Sequence, residues 1–368
     1  MARISVAAGL PDFPWDSLTA AKEKASAHPD GIVNLSVGTP VDPVDQIIRD
    51  ALNSVSDEPG YPTTHGTAAL RTAAVDALAR RYSVTGIDTD AVLPAIGTKE
   101  MIAWLPSLLG LGSDDLVVIP ELAYPTYEVG ALLAGARVTR ADGLNRLGPE
   151  NASLVFVNSP SNPTGKILPI DHLRKVVAWA RERGAVVVSD ECYLGLTWEA
   201  EAVSILDPRV SDGDHTNLLA VHSLSKTSNL ASYRAGFVTG DPVLVKDLLE
   251  VRKHAGMILP LPVQAAMTVA LNDDDHENAQ RERYRARRTE LKIAVEKAGF
   301  TVDNSEAGLY LWATRGEPCR NTVDWLAERG ILAAPGEFYG PTGSQHVRIA
   351  LTATDERIHA AAERLGSL

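Results

Sequence analysis

The sequence is poor in several features that would each indicate a particular class of protein. It has 2 cysteines in 368 residues, which is too few for a disulfide framework or a thiolate metal cluster. We therefore expect a cytoplasmic protein without a metal. No apolar run approaches the roughly 18 residues that a membrane span needs. The short apolar patch at residues 6–10 is followed by Pro11 and Pro14, which is not the pattern of a signal peptide.

An excess of positive charge is also absent. The chain has 35 Lys and Arg against 47 Asp and Glu, for a net charge of -12. This balance disfavours a surface that binds polyanions, so we expect no nucleic acid partner. The one basic cluster, Arg281 to Arg288, follows an acidic stretch and is interspersed with Glu and Ala. Its pattern predicts a solvated helix face.

Apolar runs and helical patterns alternate through the middle of the chain. The runs that we predict as strands are Leu116–Ile119, Leu154–Val157, Val186–Val188, Leu218–Val221 and Phe237–Thr239, and residues 171–183 are predicted as a helix. Such alternation predicts an α/β fold with a mainly parallel sheet covered by helices. From about Pro262 onward, long charged helices precede shorter strands. We expect an N-terminal arm with part of the small domain (1–42), a large domain (43–262) and a small C-terminal domain (263–368).

Several reactive side chains follow the predicted strands. Asp190 ends a buried apolar run, Lys226 follows the next one, and Arg234 lies eight residues beyond that lysine. Taken singly, the aspartate would be a turn or cap residue and the lysine a surface charge. Together they indicate a single ligand, because open α/β sheets bind their ligands at the carboxyl ends of the strands.

Pyridoxal 5'-phosphate is the cofactor whose needs this combination meets. Lys226 would condense with the cofactor aldehyde, and Asp190 would keep the ring nitrogen protonated so that the ring can accept electrons. Tyr193 is close enough to Asp190 in the chain to bond the ring hydroxyl. The planar donor group of Arg234 suits a phosphate. The hydroxyls of Ser223 and Ser225 would add short donors on the lysine segment.

The run from Ser223 to Thr227, continued by Tyr233 to Phe237, resembles the lysine signature of class I pyridoxal-phosphate aminotransferases. The resemblance covers roughly residues 32–365. It implies the aspartate aminotransferase-like fold of type I, with a three-layer αβα large domain and a smaller α+β domain. It also implies a homodimer whose substrates are small molecules, namely amino acids and 2-oxo acids.

Other motifs receive cofactor-binding roles through this resemblance. The segment 158–165 is similar to the family's asparagine-proline loop, so Asn162 would contact the ring hydroxyl. Tyr124 stands where the family stacks an aromatic ring on the cofactor. Gly97 precedes a helical stretch, so the backbone amides of Thr98 and Lys99 could bind phosphate at a helix start.

Three further residues have implied roles that concern the substrate or the dimer. Tyr61, between Gly60 and Pro62, corresponds to a tyrosine that reaches the neighbouring subunit's phosphate. Gly38 lies in a loop that lets the backbone approach the substrate, since glycine has no side chain to obstruct it. Arg348 corresponds to the arginine that grips the substrate α-carboxylate.

The resemblance implies a ping-pong transfer of an amino group in which Lys226 is both anchor and general base. Residues 252–266 and 335–340 are similar to actinobacterial N-succinyldiaminopimelate aminotransferases of lysine biosynthesis. Glutamate would then be the donor and N-succinyl-2-amino-6-oxopimelate the acceptor. Lys99 and Arg3 are available cations for the distal carboxylate, and the sequence does not choose between them.

Two alternatives remain beside this assignment, and a third is disfavoured. The first is another class I aminotransferase, acting on aspartate, aromatic or aliphatic amino acids. The second is a β-lyase of the same fold that eliminates sulfur from cystathionine-like substrates. The third, a cofactor-sensing transcription regulator, would need an added DNA-binding domain, for which 368 residues leave no room.

Overall fold

The computed structural model describes residues 5–143, 147–148 and 150–366. Its helices are α1 Thr19–Ser26, α2 Gln46–Asn53, α3 Ala68–Tyr82, α4 Thr98–Leu108, α5 Thr126–Leu133, α6 Ile170–Arg183, α7 Pro208–Ser211, α8 Pro242–Ala255, α9 Leu261–Asn272, α10 Asp275–Lys297, α11 Cys319–Ala327 and α12 Asp355–Gly366. Its strands are β1 Val33–Asn34, β2 Val92–Ile96, β3 Leu116–Ile119, β4 Arg137–Arg140, β5 Leu154–Asn158, β6 Val186–Asp190, β7 Leu218–Ser223, β8 Ala235–Gly240, β9 Thr301–Asp303, β10 Tyr310–Thr314, β11 Ile331–Leu332, β12 Ala334–Pro335 and β13 His346–Ala350. No helix in these ranges combines the length and apolar character needed to cross a membrane.

Seven strands form the central sheet in the order β2-β8-β7-β6-β5-β3-β4. Strand β8 runs antiparallel to both of its neighbours, and the other pairs are parallel. The predicted α/β fold with a mainly parallel sheet is therefore confirmed. Sequence reasoning missed β2 and β4, the two edges of the sheet. Pro94 interrupts the apolar pattern of β2, and an edge strand can hold a proline because one side of its backbone needs no partner.

Helices cover both faces of this sheet because side chains alternate along each buried strand. In β6, Val187 faces a core that includes residues of α3, α6 and α9. Its neighbour Val188 faces a second core with residues of α4, α5 and α8. The expected three-layer αβα arrangement follows from this alternation.

A second, antiparallel sheet in the order β12-β13-β10-β9 belongs to the C-terminal part of the chain. Strands β1 and β11 pair in parallel and tie residues 33–34 to residues 331–332. Val33 packs in the same apolar cluster as Leu311 and Ile349. These contacts support the proposed small domain built from both chain ends. Helix α9 crosses the proposed boundary at residue 263, and Met267 and Ala270 on it pack in the core of the large sheet.

The basic cluster on α10 differs from its prediction. Arg287 and Arg288 are only 3% and 7% exposed, so the expectation of a solvated helix face is wrong for these two. Arg287 pairs with Asp42 and Asp355, and Arg288 donates to the carbonyl of Ser305. These partners lie far away in the chain, so the local charge pattern gave no sign of them.

Candidate active site

A cavity of about 400 Å³ opens beside the carboxyl ends of β6 and β7. All the predicted site residues except Tyr61 line it, namely Gly38, Thr98, Lys99, Tyr124, Asn162, Asp190, Tyr193, Ser223, Ser225, Lys226, Arg234 and Arg348. Segments separated by more than 300 residues thus meet at one place. Sequence reasoning missed other lining residues, among them Phe13, Trp15, Ile102 and Tyr310.

Asp190 is the last residue of β6 and is buried. Burial raises the pKa of its carboxyl group, and hydrogen bonds partly oppose that shift. The Tyr127 hydroxyl donates to Oδ2 over 2.7 Å, and the backbone N–H of Cys192 donates to Oδ1 over 3.2 Å. Tyr127 was not predicted as a site residue, although it stands three residues after Tyr124.

Lys226 lies in the connection between β7 and β8. Its Nζ donates to the carbonyl oxygen of Gly38, which comes from the N-terminal part of the chain. Burial lowers the pKa of the Lys226 amine. The amine thus has an environment that favours its neutral, nucleophilic form.

A second group of donors converges where α4 begins. Gly97 precedes this helix with φ +76° and provides no side-chain cap. A Cβ atom on Gly97 would lie 2.1 Å from Nη2 of Arg234, so the guanidinium lies directly against the helix start. The Ser223 hydroxyl accepts from the backbone N–H of Ser225 over 3.1 Å. A cation, hydroxyls and the first N–H groups of a helix together form a suitable anion site.

Arg348 on β13 is 3% exposed and lies at the other side of the cavity. Its Nη1 donates to Oδ1 of Asn162 over 3.0 Å, and its Nη2 donates to the carbonyl oxygen of Ser36 over 2.8 Å. Its guanidinium carbon lies 3.9 Å from the ring centre of Tyr310. Within the described residues, Nε of Arg348 is buried without a hydrogen-bond partner.

Asn158, at the end of β5, holds two of these groups in place. Its Oδ1 accepts from the backbone N–H of Asn162 over 2.7 Å. Its Nδ2 donates to the carbonyl oxygen of Asp190 over 2.8 Å. Asn158 belongs to the Asn-Pro loop seen in the sequence, but its link to Asp190 required the pairing of β5 with β6.

Aromatic side chains form much of the remaining wall. The hydroxyls of Tyr193 and Tyr310 lie 3.1 Å apart. Burial raises the pKa of Tyr193, and it raises the pKa of Tyr124 to about 12. Tyr310 is the first residue of β10 and was not predicted as a site residue. A Cβ atom on Gly38 would lie 2.2 Å from the Tyr310 hydroxyl, so the close approach requires glycine there.

The structure does not bring Tyr61 to this cavity, since its side chain is 99% exposed. Its predicted contact with a neighbouring subunit stays a prediction. The Nζ atom of Lys99 lies 5.5 Å from the ring centre of Phe13 at the rim. Arg3, the other candidate cation, lies outside the described residues.

Comparisons with known proteins agree along nearly the whole chain. The chain is 68% identical to the probable aminotransferase Rv1178 of Mycobacterium tuberculosis, over 99% of this chain and 87% of that protein. It is 59% identical to the 4-dedimethylamino-4-oxo-anhydrotetracycline transaminase OxyQ of Streptomyces rimosus, over 97% of this chain and 99% of that protein. Among solved structures, a probable N-succinyldiaminopimelate aminotransferase of Thermus thermophilus is 28% identical with a TM-score of 0.86, covering 96% of this chain and 100% of the other.

The likeness to a solved aminotransferase over its full length confirms the expected aspartate aminotransferase-like fold. Residues 30–365 match the family model described as aminotransferase class I and II. The chain belongs to this family, and it is a class I transaminase that uses pyridoxal 5'-phosphate.

Proposed function

We propose that this transaminase exchanges an amino group between glutamate and N-succinyl-2-amino-6-oxopimelate in lysine (diaminopimelate) biosynthesis. The products are 2-oxoglutarate and N-succinyl-LL-2,6-diaminopimelate. The observation that carries the proposal is that one cavity has a buried arginine, Arg348, and a second cation, Lys99, at its rim. A substrate with an α-carboxylate and a distal acidic group would use both. The similarity of residues 252–266 and 335–340 to actinobacterial enzymes of this activity adds support, as does the name of the Thermus protein.

The donors around the cavity fit pyridoxal 5'-phosphate. Asp190 is a buried carboxyl whose pKa is raised by burial, and a protonated ring nitrogen would supply the positive partner that it lacks. At the start of α4, Arg234 and the backbone N–H groups of Thr98 and Lys99 would hold the phosphate, together with the hydroxyls of Ser223 and Ser225. The bound cofactor supplies an electron sink.

Three other side chains of the cavity complete the proposed cofactor site. Asn162 and Tyr193 would bond the ring hydroxyl, and Tyr124 would stack on the ring. Tyr124 already lies edge-on to Tyr127, with ring centres 5.9 Å apart, which limits its rotation. Because Tyr127 also donates to Asp190, the stacking residue and the carboxylate share one support.

Lys226 is the proposed anchor and general base. A lysine whose pKa is lowered by burial is neutral more often near pH 7, so it can form a covalent link and later accept a proton. Once displaced by the amino donor, its Nζ would move the proton that leaves the substrate Cα. The Gly38 carbonyl, which accepts a hydrogen bond from Nζ, restricts where that amine can lie.

Arg348 is the proposed clamp for the α-carboxylate. A guanidinium offers a planar pair of donors that matches a carboxylate, which would favour amino acids over simple amines. Its contacts with Asn162 and Ser36 fix its orientation, and its stacking against Tyr310 supports one face. Since both the amino donor and the 2-oxo acceptor carry this carboxylate, the same arginine would serve both half-reactions.

The dimer and the location also remain proposals. Tyr61 would reach the phosphate bound by a second copy of the chain, and its exposed side chain is free to do so. A homodimer would then be needed for a complete site. The expectation of a cytoplasmic enzyme rests on the sequence alone.

The test is a titration of the visible absorption of the cofactor-loaded enzyme. Glutamate and N-succinyl-LL-2,6-diaminopimelate should each remove the band of the lysine-bound cofactor. The succinylated compound should act at far lower concentration than aspartate, aromatic or aliphatic amino acids. If only those other amino acids remove the band, the substrate proposal is wrong while the transaminase stands. Release of pyruvate and ammonia from cystathionine would instead indicate the β-lyase.

A second candidate substrate is a polycyclic ketone. It is favoured by the 59% identity to OxyQ and by the aromatic rim, where Phe13 is 53% exposed and lies 5.5 Å from Trp15, measured between ring centres. Adding 4-dedimethylamino-4-oxo-anhydrotetracycline to the amino-loaded enzyme distinguishes the two. Return of the lysine-bound band with this ketone, and not with the succinylated 2-oxo acid, would favour the polycyclic substrate.

A further inference from the structure

Helix α10 presents a row of four buried side chains towards the segment that follows Lys226. The row consists of His276, Gln280, Tyr284 and Arg287. Spacings of three and four residues place all of them on one face of the helix. No catalytic role in the proposed function involves this face.

The first part of the row contacts the peptide just beyond Lys226. Nε2 of His276 lies 2.8 Å from the Ser228 hydroxyl, and its Nδ1 lies 2.6 Å from Oδ2 of Asp273. The Asn229 amide donates to Oε1 of Gln280 over 2.9 Å. Residues 228 and 229 are thereby bonded to two successive turns of α10.

The same row also contacts Asp42, which belongs to the segment whose Gly38 carbonyl faces the Lys226 amine. Nε2 of Gln280 donates to Oδ2 of Asp42 over 2.7 Å. The two terminal nitrogens of Arg287 donate to the same carboxylate over 2.6 and 2.7 Å. Asp42 follows Gly38 by four residues, and the Gly38 carbonyl accepts from Nζ of Lys226. One side chain, Gln280, therefore joins the two segments that meet at the lysine amine.

The geometry of this bridge matters because lysine has a long and flexible side chain. Where its amine lies depends on how firmly the main chain at its base and the carbonyl at its tip are held. Asn229 adopts φ +58°, a left-handed conformation that is uncommon for a residue with a side chain. Its bond to Gln280 stabilises that turn three residues after Lys226.

We infer that Gln280 is a positioning residue: its amide sets the placement of the Lys226 amine by joining Asn229 to Asp42. His276 and Arg287 fix the two ends of the same row. The inference rests on the role proposed for Lys226. It adds that the rate of proton transfer, rather than the binding of substrate or cofactor, depends on α10.

The test compares Gln280→Met with a matched control on the same helix. Methionine keeps the length of the side chain and removes its hydrogen bonds with Asn229 and Asp42, together with the one that it accepts from Nη1 of Arg283 over 3.2 Å. Glu282→Ala alters an exposed residue of α10 whose ion pairs, within the described part of the chain, are with Arg281 and Arg285 on the same helix. Each full-length chain, saturated with pyridoxal 5'-phosphate, is examined by amide hydrogen exchange of residues 226–230. The kcat, the KM and the isotope effect with glutamate deuterated at Cα are measured in parallel.

For Gln280→Met we expect exchange in residues 226–230 to become roughly tenfold faster, since a local restraint is lost. The kcat should fall about tenfold, because small misplacements of a reacting group reduce the rate strongly. The isotope effect on kcat should rise, the KM for glutamate should change by less than about twofold, and Glu282→Ala should match the wild type.

Two results would overturn the inference: unchanged exchange in residues 226–230, or faster exchange with an unchanged isotope effect. If Gln280→Met fails to fold, Asn229→Gly provides a second measurement. Glycine keeps the left-handed turn and removes the Asn229 amide, which donates to Gln280 over 2.9 Å and to the carbonyl oxygen of Pro43 over 3.4 Å, so the effects should be at least as large. The proposed role of Lys226 is tested separately, because Lys226→Ala should abolish the lysine-bound absorption band. A band that persists contradicts that role and leaves the exchange result interpretable.

Discussion

At the scale of single residues, burial acts on the two central groups in opposite directions. It raises the pKa of the Asp190 carboxyl and lowers the pKa of the Lys226 amine, because it disfavours the charged form of each. For the lysine this shift suits a nucleophile and base. For the aspartate it opposes the ionised form that a protonated ring needs, so the hydrogen bonds to Asp190 have to offset it.

Tyr127 is the residue that tests this balance. Its hydroxyl donates to Asp190, so Tyr127→Phe should raise the pKa of the aspartate further. We expect kcat to fall roughly tenfold, the equivalent of one lost hydrogen bond to a charged group. The acid limb of the pH–rate profile should move to higher pH. Tyr82→Phe, which removes a partly buried hydroxyl bonded to Glu277 away from the cavity, is the control. A profile that shifts equally in both variants would contradict this role.

Arg348 gives a second prediction at this scale. Arg348→Lys keeps a positive charge but cannot present two parallel donors, so binding of the α-carboxylate should weaken. The KM for the amino donor and for the 2-oxo acid should both rise, by roughly 100-fold for a buried charge pair that loses good geometry. Steady-state kinetics with each substrate varied in turn provides the measurement. A rise for one substrate only would argue against a shared carboxylate clamp.

At the scale of secondary-structure elements, the site is built from the ends of strands and the start of a helix. Strands β5, β6 and β7 run in parallel, so their last residues, Asn158, Asp190 and Ser223, lie together at the carboxyl ends of the strands. Helix α4 starts at the same end of the strands, with its N-terminus towards Arg234. The β10–β13 pair of the second sheet contributes Tyr310 and Arg348 from the opposite side.

Gly97 is the position where the start of α4 is most tightly constrained. Gly97→Ala should place a methyl group against Arg234 and displace the guanidinium from the proposed phosphate site. We expect affinity for pyridoxal 5'-phosphate to fall at least tenfold, consistent with loss of one charge-assisted contact. Equilibrium dialysis or the cofactor absorption measures it. Gly110→Ala is matched in φ, at +77°, and meets nothing within 4 Å, so it should cost stability without loss of cofactor affinity.

At the scale of the whole molecule, the cavity collects residues from both ends of the chain, while Tyr61 stays on the surface. Gly38 and Arg348 line the cavity together, although 310 residues separate them in the sequence. Tyr61 and Trp104 are 99% and 42% exposed, so both are available to a second copy of the chain. The proposed homodimer would use the first of them.

Mixing two inactive variants tests that proposal. Lys226→Ala removes the proposed base, and Tyr61→Ala removes the proposed phosphate contact. If Tyr61 acts on the partner's cofactor, a mixed dimer has one site with both defects and one fully native site. Co-refolding the two variants at limiting cofactor should then restore part of the activity. If Tyr61 served its own chain, no native site would form and mixing would restore nothing.

The sequence was sufficient for the fold class and for most of the lining of the cavity. Runs such as Val186–Val188 are short, apolar and β-branched, and their length and composition indicate strands. Prediction from sequence failed at β4, a polar edge strand, and at Arg287, whose partners Asp42 and Asp355 are remote in the chain. Local patterns record which backbone conformation a segment prefers, and they do not record which distant segment packs against it.

By itself, the sequence determined the cofactor, because the amine, the carboxylate and the phosphate-type donors occur in a recognisable order between Asp190 and Arg234. Only the tertiary structure decided how those groups are held. It made Tyr127 the support of Asp190, Tyr310 the platform under Arg348, and Gln280 the bridge between Asn229 and Asp42. The reason is physical: motif residues are set by chemistry along the chain, whereas their supports come from whichever helices and strands the fold packs beside them.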